Sequence, residues 1–219
     1  MKILALADMH GDLRQIPQIS GAIQQADVVL LAGDITNFAG TEKIRKILDV
    51  LGQYAPQVFG VHGNCDPPEV EEVLEERGIS LHGRCVTLES IQFVGIGGTE
   101  PSAVLSTKNR GEPGFEKLVD RIIPAIRPEL PLVLVTHQPP YRTKIDSYSS
   151  YHPTGSRTIR RFIEMSHPIV SISGHIHEAR GQDVIGDTIV INPGPFCRGY
   201  YSVIEINGRK IKPDFFCLE

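Results

Sequence analysis

The chain has only four cysteines in 219 residues, and no two of them form a C-x-x-C pair. Cys65, Cys85, Cys197 and Cys217 therefore carry no structural zinc pattern. Long apolar runs are missing as well. None approaches the ~18 residues of a membrane span, and "MKILALAD" meets a charge after five apolar residues, too few for the apolar core of a secretory leader. These absences lead to the expectation of a reduced, cytoplasmic compartment and no membrane partner. A basic excess is also absent, with 22 Lys and Arg against 26 Asp and Glu and a net charge of −4. A protein that tracks a nucleic-acid polymer needs a basic face to displace counterions, so long DNA or RNA is not an expected partner. The one basic cluster, Arg157, Arg160 and Arg161, reads as the solvated face of a helix. Repeats and low-complexity tracts are lacking too.

What is present is enough apolar sequence, 41% of the residues, to build a core without staples. Short β-branched runs recur: "ILALA" (3–7), "VVLLA" (28–32), "VFGV" (58–61), "LVLVT" (132–136) and "IVSIS" (169–173). Each is bounded by Gly, Asp or His, as suits strands buried on both faces. Between them lie helical periods, with Ile44, Ile47, Leu48 and Leu51 on one face and Phe115, Leu118, Val119 and Ile122 on another. Asp12-Leu-Arg-Gln15 and Asp66-Pro-Pro-Glu69 have the form of capping boxes, with Pro67 at a first helical position. Pro17 predicts irregular first turns in its helix. Residues 86–96 predict a hairpin. Residues 182–216 predict three or four antiparallel strands, turning at Gly186-Asp187 and Asn207-Gly208. The expectation is a single α/β domain over 1–219: two β-α-β halves, each extended by antiparallel strands, forming two sheets covered by helices.

The polar residues fall in a pattern. Asp8 and His10 follow the first predicted strand, Asp34 the second, Asn64 the third and His137 the fourth. His175 and His177 follow the fifth. All seven sit just beyond carboxyl ends of strands, the edge where open α/β sheets bind ligands. In "DMH" and "HIH" the polar residues are two apart, a spacing that aims both side chains to one side of an extended chain. Glycines 11, 33, 63 and 174 flank these residues and permit close approach to an ion. Two carboxylates, four imidazoles and an amide form an N/O donor set suited to Mn²⁺, Fe²⁺, Co²⁺ or Zn²⁺. Seven donors exceed one ion's needs, so two divalent metal ions sharing a carboxylate are expected. His62, His82, His152 and His167 show no such pattern and read as surface or hydrogen-bonding residues.

The order D-x-H, G-D, G-N, H, G-H-x-H, running from Asp8 to His177, resembles that of the calcineurin-like metallophosphoesterase superfamily. The resemblance implies a four-layer α/β/β/α sandwich of two mixed sheets flanked by helices. It also implies one ion on Asp8, His10, Asp34 and His177, and a second on Asp34, Asn64, His137 and His175, with Asp34 bridging. Catalysis would be hydrolysis of a small phosphate ester, with a nucleotide among the candidates, by a hydroxide held between the ions, and Asn64 would also face a phosphoryl oxygen. "GNCD" (63–66), "NPG" (192–194) and "GS…IR" (155–160) resemble a small bacterial and archaeal branch of phosphodiesterases. Cys65 stands where much of the superfamily has a histidine, which favours diesters over monoesters; it is expected to be a small side chain packed beneath the site. The loops at 97–113 and 138–155 are expected to shape substrate choice, with Arg142 and His152 as the substrate-binding side chains. The competing expectation is a non-catalytic metal-binding scaffold subunit, which eroded ligands would have favoured.

Overall fold

The computed structural model describes residues 1–100, 114–147, 153–208 and 210–218. Three parallel strands, β1 (Lys2–Leu6), β2 (Val28–Ala32) and β3 (Val58–Val61), are extended by an antiparallel pair. That pair is β10 (Tyr200–Asn207) and β11 (Lys210–Cys217), giving the order β11-β10-β1-β2-β3. The second sheet contains β4 (Cys85–Leu88), β5 (Ile91–Ile96), β6 (Leu132–Thr136), β7 (Val170–Ile172), β8 (Gly181–Ile185) and β9 (Thr188–Asn192). Its order is β4-β5-β6-β7-β9-β8, with β5, β6, β7 and β9 parallel and the two edge strands antiparallel.

Alternation along the strands builds the layers. Ile3, Ala5, Val28, Leu30 and Phe59 face Phe93, Val133, Val135, Val170 and Ile172 in a core shared between the sheets. The residues between them, such as Leu4, Leu6, Val29 and Leu31, point the other way. They meet Ile23 of α1 (Ser20–Gln24), Ile44, Ile47 and Leu48 of α2 (Thr41–Leu51) and Val70 and Leu74 of α3 (Pro68–Glu76). On the second sheet Val94, Leu132 and Leu134 meet Phe115 and Leu118 of α4 (Phe115–Ile122) and Phe162 and Ile163 of α5 (Arg157–Ser166). Burial on both faces explains the near-continuous apolar strands. The result is the four-layer α/β/β/α sandwich with mixed sheets.

Three local expectations need correction. Asp66 does not cap α3, whose capping residue is Pro67 and whose first residue is Pro68. Of the two N–H groups such a cap can bond, Pro68 lacks one, and the Asp66 carboxylate turns away from the other, on Glu69. That carboxylate instead accepts from Ile35 N (3.0 Å), Thr36 N (2.7 Å), Thr36 Oγ1 (2.9 Å) and Gly63 N (2.8 Å). Asp12 starts no helix either: it holds Arg14 N at 2.9 Å. As its ring requires, Pro17 delays helix formation to a 3-10 turn at Pro17–Ile19 before α1. Finally, the four strands after residue 180 do not form one antiparallel set. β8 and β9 stay in the second sheet, where β9 is parallel to β7, and β10 and β11 cross to the first. Pro193 and Pro195, which have no ladder N–H, lie in the crossing. The turns at Gly186-Asp187 and Asn207-Gly208 fall where expected, with φ of 58° and 61° at the glycines.

Candidate metal centre

The carboxyl ends of β1, β2, β3, β6 and β7 meet at the seam between the two sheets, and all seven expected donors gather there. The chain is not extended at these points. Asp8, His10, Asp34 and His175 have φ of 51°, 46°, 48° and 71°. The two-residue spacing therefore converges through left-handed turns and not through strand pleat. A left-handed non-glycine residue costs roughly 1–3 kcal/mol and persists only where its surroundings fix it. Here they do. Asp8 N donates to Gly33 O (3.1 Å), His10 N to Asp34 O (2.9 Å) and Gly11 N to Ile35 O (2.9 Å), stitching the β1 and β2 ends together. Asn192, within the "NPG" motif, donates from Nδ2 to Ile176 O at 2.8 Å and so fixes the residue between His175 and His177. Two glycines admit the donors: a Cβ on Gly63 would lie 2.1 Å from Asp34 Oδ1, and one on Gly33 (φ 82°) would lie 2.4 Å from His137 Nδ1.

The donor atoms fall into overlapping groups. Those of Asp8, His10 and His177 lie within 4.8 Å of one another, as do those of Asp8, Asp34 and His137, and those of His10, Asp34 and Cys65. His177 Nε2 is 3.5 Å from Asp8 Oδ1 and 3.2 Å from His10 Nε2. His137 bonds Ala32 O through Nδ1 (2.9 Å), and its Nε2 faces Asn64 Oδ1 at 3.0 Å and Asp34 Oδ1 at 3.4 Å. Asn64 is turned that way because its amide N–H reaches Cys65 Sγ at 3.4 Å. His175 donates its backbone N–H to both Asp8 oxygens at 3.1 Å and sets its ring edge-on to His137, with centroids 5.0 Å apart.

Electrostatics tests whether a cation belongs here. Asp8 is 0% and Asp34 3% exposed, and among the described residues no Lys or Arg pairs with either. Two buried carboxylates need positive charge nearby. Burial opposes ionisation of Asp34, but His137 and the Cys65 N–H, 2.7 Å away, hold it well below the usual carboxylate range. Burial likewise works against a charged His137, yet the Asp34 carboxylate pushes it up to about 9. A proton on His137 is one answer to this demand, and a metal ion is the other, since Nδ1 bonded to Ala32 O leaves Nε2 as the ligand atom. His175 is lowered to about 4 by burial and then by His137, which keeps its lone pair available. His177 is raised by its contact with Asp8. The donor set thus fits divalent cations.

Other expected residues lie apart. Arg142 is exposed, with φ of 56°, and its guanidinium sits 5.3 Å from the Tyr141 ring centre; among the described residues its side chain has no hydrogen bond or ion pair with the cluster. His152 lies outside the described residues, as do 101–113 of one expected loop and 148–152 of the other. The flanking parts of those loops are joined: Glu100 accepts from Ser156 Oγ (2.7 Å) and Thr158 Oγ1 (2.6 Å). His62 bonds Glu71 at 2.9 Å and His82 accepts from Gly97 N at 2.9 Å, hydrogen-bonding roles as expected. Cys65 is half-buried beside the cluster. Burial, then Asp34, pushes its thiol up to about 12.

Comparison with known proteins agrees with this geometry. Residues 1–179 match the model of the calcineurin-like phosphoesterase family. Protein MJ1162 of Methanocaldococcus jannaschii is 36% identical over 201 residues, which cover 89% of this chain and 88% of that protein. The crystal structure of TT1561 from Thermus thermophilus superposes with a TM-score of 0.74 at 20% identity, covering 97% of each chain. An archaeal phosphodiesterase of known structure matches with a TM-score of 0.54 at 17% identity, over 99% of this chain and 100% of that one. At such identities these structures speak for the fold alone, but the family match covers every expected donor, from Asp8 to His177. The chain belongs to the calcineurin-like phosphoesterase family.

Proposed function

We propose that the protein is a two-metal phosphoesterase that hydrolyses phosphodiesters in preference to monoesters. The observation that carries this is the chain of overlapping donor groups, in which Asp8 and Asp34 each belong to two. A single ion has no use for so long a run of donors. One ion is assigned to Asp8, His10, Asp34 and His177, and the other to Asp34, Asn64, His137 and His175. The N/O donor set favours manganese, iron, cobalt or zinc. When bound, such ions supply an activated water and neutralise phosphoryl oxygens during in-line displacement.

The chain's own residues do the rest. Asp34 ties the two halves together. His137, fixed through Nδ1, presents Nε2 in one orientation. The Asn64 amide spends one N–H on Cys65 Sγ and keeps a second for a phosphoryl oxygen. Arg142 and His152 are assigned to the outer part of the substrate. The diester preference rests on Cys65, which offers no imidazole to protonate or bind the extra charge of a monoester. A scaffold role has no support in a donor set that is complete.

The test is metal analysis of the purified chain beside rates on bis(4-nitrophenyl) phosphate and 4-nitrophenyl phosphate. Two ions per chain, a faster diester rate and loss of both rates with chelator are expected. Full activity in a metal-stripped protein would defeat the proposal, and a faster monoester rate would defeat its diester part.

A further inference from the structure

Phe38 is the most exposed large apolar residue among those described, at 72%, and its ring joins none of the three core clusters. It is also left-handed, with φ of 54°. Exposed aromatics are common singly, and left-handed residues are common as Gly or Asn. A bulky aromatic that is both is an unfavourable choice for the fold, which would be served better by glycine at that position.

Its place in the fold gives the choice a purpose. Phe38 N donates to Cys65 O at 2.7 Å, and Cys65 N donates in turn to Asp34 Oδ1 at 2.7 Å. Three residues earlier, Ile35 O accepts from Gly11 N, directly after His10. Residues 35–38 are thus clamped between the loop carrying His10 and the loop carrying Asn64. The Asp66 carboxylate locks the clamp through Ile35 N, Thr36 N and Gly63 N. The backbone that carries this ring is fixed in a strained conformation, one hydrogen bond from the backbone of the candidate metal site, and the residue is open to solvent.

We propose that Phe38 is the specificity-determining contact for the organic part of the substrate, stacking on a flat aromatic group such as a nucleobase. This rests on the phosphodiesterase reading of the cluster. A ring presents its face to any base, so the contact selects for an aromatic group and not for a particular one.

The test measures binding to the full chain in saturating manganese. Its probes are adenosine monophosphate and ribose 5-phosphate, which share the phosphate and sugar and differ in the ring. Wild type should prefer the nucleotide by about tenfold, the scale of one stacked base. Phe38→Ala should lose that preference while binding ribose 5-phosphate as wild type does, and Phe38→Trp should keep it. On a nucleotide diester, Phe38→Ala should raise KM with kcat unchanged. Phe38→Gly, freed of left-handed strain, should lose the preference without any fall in melting temperature. A nucleotide preference that survives Phe38→Ala, or a fall in stability and metal content in both Ala and Gly variants, overturns the proposal. Failure of the phosphodiesterase reading looks different: the wild-type preference persists and no diester is hydrolysed.

Discussion

The two sheets contribute to the candidate metal centre in different ways. The first supplies both carboxylates and the amide, from turns in which Asp8, His10 and Asp34 are all left-handed. The second supplies three imidazoles, and relies more on burial: His137 is completely enclosed and is aimed by one bond to Ala32 O, across the seam. Three of the first sheet's four expected donors are therefore placed by strained turns held in a net of loop hydrogen bonds. On the second sheet His175 alone is left-handed, and His137 is placed by packing against the first sheet. The cluster exists only when the sheets are seated on each other, so metal affinity reports sheet-to-sheet packing as well as ligand chemistry.

The harshest way to break this division is to remove the residue that serves both sides. Asp34 contacts His137 from the second sheet, lies 3.9 Å from His10 of the first, and accepts the Cys65 N–H. Asp34→Ala should lose both ions and bring activity to the chelator-treated baseline. His177→Ala should weaken chiefly one ion. Metal stoichiometry by mass spectrometry decides between them, and equal losses from the two variants would mean that Asp34 does not bridge.

A smaller effect is expected from breaking the loop net without touching a donor. Asp66→Ala leaves the N–H groups of Ile35, Thr36 and Gly63 without their acceptor. The expected cost is roughly 3 kcal/mol, or about 6–12 °C in melting temperature for a chain of this size. Because the net also holds the Asp34 and Asn64 loops, metal affinity should fall about 10–100-fold, as for other residues that support ligands. An Asp66→Ala protein with wild-type metal affinity would show that the strained turns hold themselves.

Asp66 also marks where sequence reasoning reached its limit. The strands, both helical periods and the gathering of seven donors were legible, because period-2 and period-3.6 burial and strand-end placement are local or additive signals. The partners of Asp66 were not. The local pattern D-P-P-E matched a cap, and nothing nearby revealed that Ile35 and Thr36, some 30 residues earlier, would take the carboxylate. Left-handed turns at Asp8 and His10 were hidden for a related reason: they are imposed by backbone bonds to the β2 end, and the side chains give no local sign of them. The Glu100–Ser156 link spans 56 residues: Ser156 lies in "GS…IR", but its partner Glu100 carries no motif. "NPG" did carry one, and the lone cue to its role was its polar Asn192 at the end of an apolar strand.

The smallest effect is expected at Cys65, the residue that joins the two modes of placement. Its N–H fixes Asp34, its carbonyl fixes Phe38, and its sulfur accepts the Asn64 amide at 3.4 Å, turning Oδ1 toward His137. Burial and the nearby carboxylates push the thiol up to about 12 in the metal-free site, which disfavours the thiolate needed for nucleophilic attack there. On this account the side chain orients Asn64, and a serine hydroxyl can accept the same N–H. Cys65→Ser should therefore retain metal binding and change the rate on an unactivated diester by less than about tenfold, while Cys65→Ala, lacking an acceptor, should weaken metal binding by about tenfold or more. A general acid at this position would behave otherwise, because its loss typically costs ~10²–10⁴ in rate with the metals still bound. The sulfur also lies within 4.8 Å of donor atoms on His10 and Asp34, which gives a third outcome a clear signature. If it ligates an ion, Cys65→Ser should lose zinc, the softer metal, and keep manganese. Equal retention of zinc and manganese, with a near-wild-type rate, is the result that leaves Cys65 as a hinge between strain and burial and nothing more.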